Sequence, residues 1–204
     1  MTSALLGSKD VTRFAAKVAS HFKTNEVIAW LGVAYDAHYG NAAGMSPEHL
    51  RHAFHNRGCL SFEQARELVR WKLGSLRVPK FVARNSRQSV KRATQKLVSV
   101  IGTASPETAL TALTNNLVQV GPAAGSAFLA AWSVDFPIID TRAWNSLWRA
   151  TGDQYFAPNS KLSQVFRPGN YDSYVHIVRQ AAQKLGVSVR ELESALYMTG
   201  KLNA

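Results

Sequence analysis

Apolar residues recur every three or four positions along most of the chain, which is the spacing that gives a helix one buried face. Runs that alternate apolar and polar residues over the length of a strand are nearly absent. The pattern predicts helices near residues 10–21, 25–38, 47–55, 62–73, 86–100, 106–116, 123–132, 141–150, 171–184 and 189–199. We therefore expect an all-α fold.

Residues that favour helix starts stand at several of these boundaries. Ser46-Pro47 and Ser105-Pro106 each place a hydroxyl before a proline at the first helical position. Ser61 to Gln64 and Ser188 to Glu191 have the spacing of capping boxes. Between residues 153 and 170, many Pro, Asn, Gly and Ser residues predict the longest loop.

The charge of the chain indicates a polyanionic partner. Lys and Arg number 24 against 13 Asp and Glu, a formal net charge of +11. One stretch has a single acid, Glu67, among these basic residues: Arg66, Arg70, Lys72, Arg77, Lys80, Arg84, Arg87, Lys91, Arg92 and Lys96. Such a stripe is typical of a surface that contacts nucleic-acid phosphates, although a generally solvated basic surface is the alternative.

Membranes and metal clusters fit the sequence less well. No apolar run approaches the roughly 20 residues that span a bilayer, and the amino terminus lacks the apolar core of a signal peptide. We therefore expect a cytoplasmic protein. Cys59 is the single cysteine, whereas an iron–sulfur cluster takes about four thiolates. His49, His52 and His55 share a helical spacing without a partner Cys or carboxylate pair, so we interpret them as a polar helix face and predict no metal site.

A tight turn is predicted between two helices in the middle of the chain. One helix ends near Asn116, the turn is centred on Val120-Gly121, and Pro122 opens an apolar helix rich in small residues. Gly121 allows the backbone to come close to a ligand, and free amides at a helix start favour an anion. The turn is therefore a candidate phosphate contact.

This turn and a later segment resemble the helix-hairpin-helix DNA glycosylase superfamily. In that superfamily, a Leu-Pro-Gly-Val-Gly-like hairpin precedes a catalytic aspartate by about twenty positions. Leu117, Val120 and Gly121 match the hairpin, and Phe136-Pro137-Ile138-Ile139-Asp140-Thr141-Arg142 matches the aspartate segment. The resemblance implies two packed helical lobes with a cleft between them, a single unit over residues 1–204, and the helix-hairpin-helix motif at 106–132 within it. It also implies that Asp140 is the catalytic carboxylate.

The function implied by the resemblance is hydrolysis of the N-glycosidic bond of a flipped-out modified or damaged base in double-stranded DNA. Base-excision DNA repair and antiviral defence against modified phage DNA both remain open. Ala123 stands where the lyase members have a nucleophilic lysine, so we expect a DNA glycosylase without lyase activity. The missing lysine also argues against specialists for oxidised guanine, which often couple base removal to strand cleavage. Lys72, Lys80 or Lys91 could substitute, but nothing in the sequence singles one out.

A second resemblance concerns the residues that fill the gap left by the base. Val90 to Leu97 is similar to a helix of the endonuclease branch, and on that alignment Arg84 and Asn85 fall where the filling side chain sits. The alternative is that Asn85 or Ser86 simply caps the following helix. The predicted DNA-binding residues are Val120, Gly121, Ala123, Arg84, Asn85, Arg87, Lys72, Arg77 and Arg142.

Aromatic residues are the candidates for a base pocket. Trp30, Tyr35 and Tyr39 are the better candidates by elimination. Trp71 is a further candidate, with core packing as its alternative. We expect a monomer that requires no cofactor, and a monovalent cation at the hairpin is left open.

Two features keep a different function open. Gln119 replaces the first hairpin glycine and Pro122 removes an amide donor, so the chain could be a non-catalytic helix-hairpin-helix DNA-binding protein. Asp140 directly precedes a predicted helix and could merely cap it, a role worth about 1 kcal/mol. A remoter alternative is a basic protein that binds RNA or a membrane surface.

Overall fold

A computed structural model describes residues 6–23, 27, 47–156 and 169–202 of the chain. Every regular element in these residues is helical, so the predicted all-α fold is confirmed. The α-helices are α1 (Ser8–His21), α2 (Arg51–Arg57), α3 (Phe62–Leu73), α4 (Val78–Arg84), α5 (Arg87–Ile101), α6 (Pro106–Thr114), α7 (Pro122–Trp132), α8 (Thr141–Thr151), α9 (Asn170–Leu185) and α10 (Val189–Leu202). Short 3-10 helices cover Pro47–Leu50, Ser75–Arg77 and Gln154–Phe156.

The helix that the pattern did not predict is α4. Gly74 and Pro79 make its surroundings look like a loop, and seven residues are too few to show a clear period. A proline is nevertheless tolerated in the first turn of a helix, where its missing N–H has no intrahelical role. Apart from Val27, the predicted helix at 25–38 lies outside the described residues, as does most of the predicted loop at 153–170.

Serine side chains define several helix starts as the sequence predicts. Ser61 and Gln64 form a reciprocal capping box on α3, and the Ser105 hydroxyl accepts from the Thr108 N–H on α6. Ser86 caps α5 by accepting from the Ser89 N–H at 3.0 Å. Of the two residues suggested as the cap of this helix, Ser86 is therefore the one that does so.

The described helices fall into two compact units. One unit runs from Ala42 to Ile138 and contains α2 to α7. Its core is built from fully buried large side chains, which include Phe54, Phe81, Leu97, Leu113 and Phe128. In this unit α6 and α7 pack closely, because a Cβ at Gly125 would lie 2.6 Å from Leu110 Cδ1.

The other unit combines α1 with α8, α9 and α10. An aromatic cluster forms part of its core: the rings of Phe14 and Trp144 each lie 5.1 Å from that of Phe156. Helix α10 packs along α8, and α9 packs against α1. Within the described part of the chain, no helix is long and apolar enough to cross a bilayer.

Candidate functional site

The turn between α6 and α7, residues 115–121, brings together most of the residues predicted to form the hairpin. Val120 is buried and Gly121 is exposed as the N-cap of α7. Gln119 adopts a φ of 65°, the left-handed region that favours glycine. The first glycine of the hairpin that this turn resembles would suit this backbone conformation. Gln119 adopts the same conformation in its place.

Asn85 lies beneath this turn and binds its backbone. Its Nδ2 donates to the carbonyl oxygens of Phe81 and Val118 at 2.9 and 2.8 Å, and its Oδ1 accepts from the Val118 N–H at 3.0 Å. The residue is only 8% exposed. A gap-filling side chain is expected to project into solvent. Asn85 does not, because both its Nδ2 and its Oδ1 form hydrogen bonds that connect the end of α4 to the turn.

A positively charged surface is formed by exposed residues that precede and follow Asn85 along the chain. We call it the cationic face, and its exposed members are Arg77, Lys80, Arg84, Arg87, Lys91, Arg92 and Lys96. Lys80 and Arg84 of α4 and Arg77 at its N-cap are spaced to lie on one side of the helix. Arg87 forms an ion pair of 2.9 Å with Glu63, so part of this charge is locally balanced.

The remaining predicted residues of this unit are less exposed. Lys72 is half-buried, and so is Ala123 in the first turn of α7. Trp71 is buried in α3 with 7% of its surface exposed, which places it in the core as its alternative interpretation stated. Trp30, Tyr35 and Tyr39 lie outside the described residues.

Asp140 is the N-cap of α8 in the other unit. Its Oδ1 accepts from the Ala143 N–H at 2.9 Å, and the residue is half-buried. The capping role suggested by the sequence is thus present. Because the positive end of the helix dipole points at this carboxylate, the position favours a negative charge.

Arg142, two residues further on, is bound by Tyr197 of α10. Its Nη1 donates to the Tyr197 hydroxyl, and its Cζ lies 5.1 Å from the centre of the tyrosine ring. Burial raises the pKa of Tyr197 to about 12, while the positive charge of Arg142 lowers it and the negative charge of Asp140 raises it. The Tyr197 hydroxyl therefore lies within electrostatic reach of both charges at the start of α8.

Direct backbone contact fixes α10 on α8. A Cβ at Gly200 would lie 2.3 Å from the carbonyl oxygen of Arg142, so only a glycine permits this approach. One helical turn along α8, the Ser146 hydroxyl donates to the carbonyl oxygen of Leu196 at 2.6 Å. The first turn of α8 is consequently held by α10 as well as by its own hydrogen bonds.

A buried ion pair lies on the same helix as Tyr197. Arg190 donates to Glu193, and the two side chains are 10% and 3% exposed. Burial raises the pKa of Tyr174 on α9, and the negative charges of Glu193 and Asp140 raise it further. Sequence reasoning missed these α10 residues, although the spacing of Arg190, Glu193 and Tyr197 places them on one helix face.

The two units offer different chemistry. The turn and the cationic face supply backbone amides and positive charge, which suit a phosphodiester strand. Asp140 supplies a fixed, half-buried carboxylate, which suits a reaction that develops positive charge. Among the described residues, no group of three or more His, Cys, Asp or Glu side chains is arranged to bind a metal ion.

Comparison with known proteins identifies the family. The family model described as "Putative 8-oxoguanine DNA glycosylase OGG-like protein" matches residues 70–197, which is more than half of the chain and includes the cationic face, the turn, Asp140 and Tyr197. No curated protein and no solved structure matches. The chain belongs to the family of OGG-like DNA glycosylases.

Proposed function

We propose that this protein hydrolyses the N-glycosidic bond of a modified base that has been flipped out of double-stranded DNA, with Asp140 as the catalytic carboxylate. The observation that carries the proposal is the capped carboxylate of Asp140 within the range matched by a DNA glycosylase family. As the C1′–N bond breaks, the electron pair leaves with the base and the sugar becomes oxocarbenium-like. The Asp140 anion stabilises that positive charge.

Water completes the reaction in this proposal. Its oxygen forms a bond to C1′, and Asp140 orients the water and accepts its proton. The departing base takes up a proton from solvent, so the products are a free base and an abasic site. Ala123 offers no amine for attack on the sugar, which supports a reaction without lyase activity.

We assign DNA binding to the unit from Ala42 to Ile138, which contains the turn and the cationic face. The exposed Gly121 backbone and the amides at the start of α7 contact one phosphate, and the cationic face tracks the strand. Arg84 is the remaining candidate for filling the gap, since it is exposed whereas Asn85 is buried beneath the turn. The contacts of Lys72 and Arg142 with DNA, the base pocket, the monomeric state and a cation at the turn stay predictions.

Oxidised guanine is the first substrate to test, because the family description names 8-oxoguanine. The sequence alone suggested a lower priority for this substrate, because Ala123 stands where specialists for oxidised guanine often have a nucleophilic lysine. A panel of duplexes should include 8-oxoguanine, alkylated purines, deaminated bases and bulky modified pyrimidines, with mass spectrometry of the released bases. Release of bulky pyrimidines alone would favour defence against modified phage DNA over repair.

Replacement of Asp140 by Asn tests the catalytic role. Asn caps a helix about as well as Asp, so Asp140→Asn should keep the fold and the DNA affinity while base release falls about 1000-fold or more. The measurement is alkali-labile abasic sites in single-turnover reactions. Asp135→Asn, which changes an exposed carboxylate five residues earlier, is the matched control and should remain active. Equal activity of Asp140→Asn and wild type would refute the assignment.

Borohydride trapping tests the absence of lyase activity. A lysine that attacks the sugar forms an imine, and reduction of that imine links the protein covalently to the DNA. We expect no linked product from the wild type. A linked product would show that a lysine elsewhere in the chain acts as the nucleophile. Lys72, Lys80 and Lys91 would then be the first residues to replace.

A non-catalytic DNA-binding protein is the second candidate. It is favoured by Pro122, which has no N–H and so removes one amide donor at the start of α7. This alternative predicts salt-sensitive DNA binding without release of any base from the panel.

A further inference from the structure

An open groove of about 300 Å³ lies where the end of α2, the start of α3 and the start of α5 meet, and we call it the α3 groove. It is lined by three cations, one acid and two apolar side chains, which are Arg57, Arg87 and Lys91, then Glu63, then Leu60 and Phe62. Arg87 and Lys91 are one helical turn apart and also belong to the cationic face, so the face and the groove are continuous. The excess of positive charge favours an anionic ligand.

The acid in the α3 groove is bound to one of its cations. Glu63 Oε1 accepts from Arg87 Nη2 at 2.9 Å. A backbone hydrogen bond lowers the pKa of Glu63 and the positive charge of Arg87 lowers it further, so the carboxylate is ionised at neutral pH. The Arg87 and Glu63 side chains are 83% and 49% exposed, and ion pairs between exposed residues contribute little free energy. A phosphate offers the guanidinium charged oxygen acceptors of the same kind and can therefore displace the carboxylate.

Arg57 supplies a cation from outside the cationic face. Its Nη2 donates to the amide oxygen of Gln64 at 2.6 Å. Because this acceptor is neutral, the bond does not neutralise the guanidinium, whose planar N–H groups suit phosphate oxygens. A phosphate that contacts Arg57 and Lys91 together would lie within the groove and not on the surface of α5 alone.

We propose that the α3 groove binds a phosphate of the DNA strand, and that Glu63 pairs with Arg87 until the strand displaces it. The inference rests on the DNA-binding part of the proposed function, because it extends the assigned surface from α4 and α5 to α2. Leu60 and Phe62 provide apolar contact for the deoxyribose next to this phosphate. Binding exchanges one ion pair of Arg87 for another.

The single cysteine of the chain provides a direct test, because Cys59 also lines the α3 groove. It is a free thiol and is partly exposed. We expect an unmodified duplex at about ten times its Kd to slow alkylation of Cys59 by iodoacetamide about tenfold, since only the unbound protein reacts. Mass spectrometry measures the alkylated fraction over time. An unchanged rate at saturating duplex would overturn the proposal, and so would protection by deoxyadenosine monophosphate without protection by duplex.

Replacement of Arg57 by Gln tests the contact from α2. We expect Arg57→Gln to reduce the slope of log K against log salt by about 0.9, the contribution of one phosphate contact. Arg70→Gln is the matched control, because it removes an exposed cation of α3 that pairs with Glu67 and does not line the groove. Its slope should stay close to that of wild type. Equal reductions in the two variants would contradict a specific contact in the groove.

Replacement of Glu63 by Gln tests the competition for Arg87. Glu63→Gln should tighten duplex binding about threefold at low salt, because the guanidinium no longer has to leave a carboxylate. The gain should be absent in an Arg87→Gln background, since the two residues act as one unit. Glu67→Gln removes the same charge from the same helix but from a residue paired with Arg66 and Arg70, so its gain should be smaller. A gain that persists without Arg87, or that Glu67→Gln equals, would overturn the role of Glu63.

The outcomes also separate this proposal from the proposed reaction. Base release from the panel without protection of Cys59 would overturn the groove contact alone. Protection of Cys59 without release of any base would overturn the proposed reaction alone. A protein that binds no duplex would overturn both.

Discussion

Asp140 caps a helix and, in the proposed reaction, also stabilises charge on the sugar, and these two roles need different properties. The helix cap needs only an oxygen that accepts the Ala143 N–H, and an amide supplies one as well as a carboxylate does. Stabilisation of an oxocarbenium ion needs the negative charge itself. The two roles are therefore compatible, and an isosteric neutral residue separates them.

Asn85 shows a similar contrast between a surface role and an internal one. Asn85→Ala should lower the free energy of unfolding by about 2 kcal/mol, because the Val118 N–H and C=O would lose their partner beneath the turn. Urea denaturation measures this change. DNA affinity should fall with it, since the turn would no longer be fixed to α4.

The neighbouring Arg84 provides the control for Asn85. It is exposed and ends the same helix, so Arg84→Ala should leave the unfolding free energy within about 0.5 kcal/mol of wild type. If Asn85→Ala were as stable as Arg84→Ala, the hydrogen bonds of Asn85 to the turn would not contribute to stability as predicted.

Tyr197 should also make stability depend on alkaline pH. Its raised pKa of about 12 means that the folded protein keeps the hydroxyl proton while the unfolded chain loses it near pH 10. Its contribution is complete below pH 10 and is lost as the pH rises to 12. Burial of the hydroxyl is the main cause of this shift, and Arg142 on α8, Asp140 at its N-cap and Glu193 on α10 modify it.

The measurement is the slope of unfolding free energy against pH between 10 and 12. Tyr197→Phe should have a shallower negative slope than wild type, even if its stability at neutral pH is lower. Parallel slopes would show that the hydroxyl has the same proton affinity in both states, contrary to this expectation. Tyr174 contributes in the same direction and is present in both proteins.

At the scale of the helices, the sequence predicted most elements because their apolar spacing and capping residues agree. The serine caps at Ser61, Ser105 and Ser188 lie at or within a residue of predicted helix starts. Helix α4 escaped prediction because a proline and a glycine outweigh a seven-residue pattern. Local rules are sufficient where a helix is long and capped, and they fail where packing alone stabilises a short one.

The candidate site was predictable only in part for a different reason. Asp140 and the turn are identified by short motifs along the chain. The contact of Tyr197 with Arg142 joins residues 55 positions apart, and no local pattern encodes such a contact. Asn85 was singled out by alignment, but its burial depends on how α4 packs against the turn, which the sequence does not reveal.

The packing of α10 on α8 gives a prediction for Gly200. A Cβ there would lie 2.3 Å from the Arg142 carbonyl oxygen and 2.7 Å from the carbonyl carbon, and neither backbone atom can rotate away. Gly200→Ala should therefore lower the free energy of unfolding by about 3 kcal/mol. Base release should fall as well, because the first turn of α8 would have to move.

Two other glycines are controls for this prediction. Gly102 has open space around a Cβ, so Gly102→Ala should be nearly neutral. Gly125→Ala would meet the end of the Leu110 side chain, which can adjust, and should cost less than Gly200→Ala. An order of stability other than Gly102→Ala, Gly125→Ala and Gly200→Ala would contradict the proposed contact.

For the molecule as a whole, the excess of positive charge is unevenly distributed. The net charge of +11 is accompanied by seven exposed cations on the cationic face, all within the unit that contains the turn. The unit that carries Asp140 contains the buried Arg190–Glu193 pair and the balanced Arg13–Asp10 pair. The proposed phosphate contacts and the proposed catalytic carboxylate thus lie in different units of the chain.

This division predicts how DNA binding depends on salt. Replacement of Arg77, Lys80 and Arg84 by Gln should reduce the slope of log K against log salt by about 2 to 3, because each phosphate contact contributes about 0.9. The same loss of three charges at Lys9, Arg13 and Lys184, which are exposed in the other unit, should leave the slope nearly unchanged. Fluorescence anisotropy over a salt series measures both. Equal reductions would mean that net charge, and not the cationic face, determines affinity, because only a localised contact releases counterions from specific phosphates.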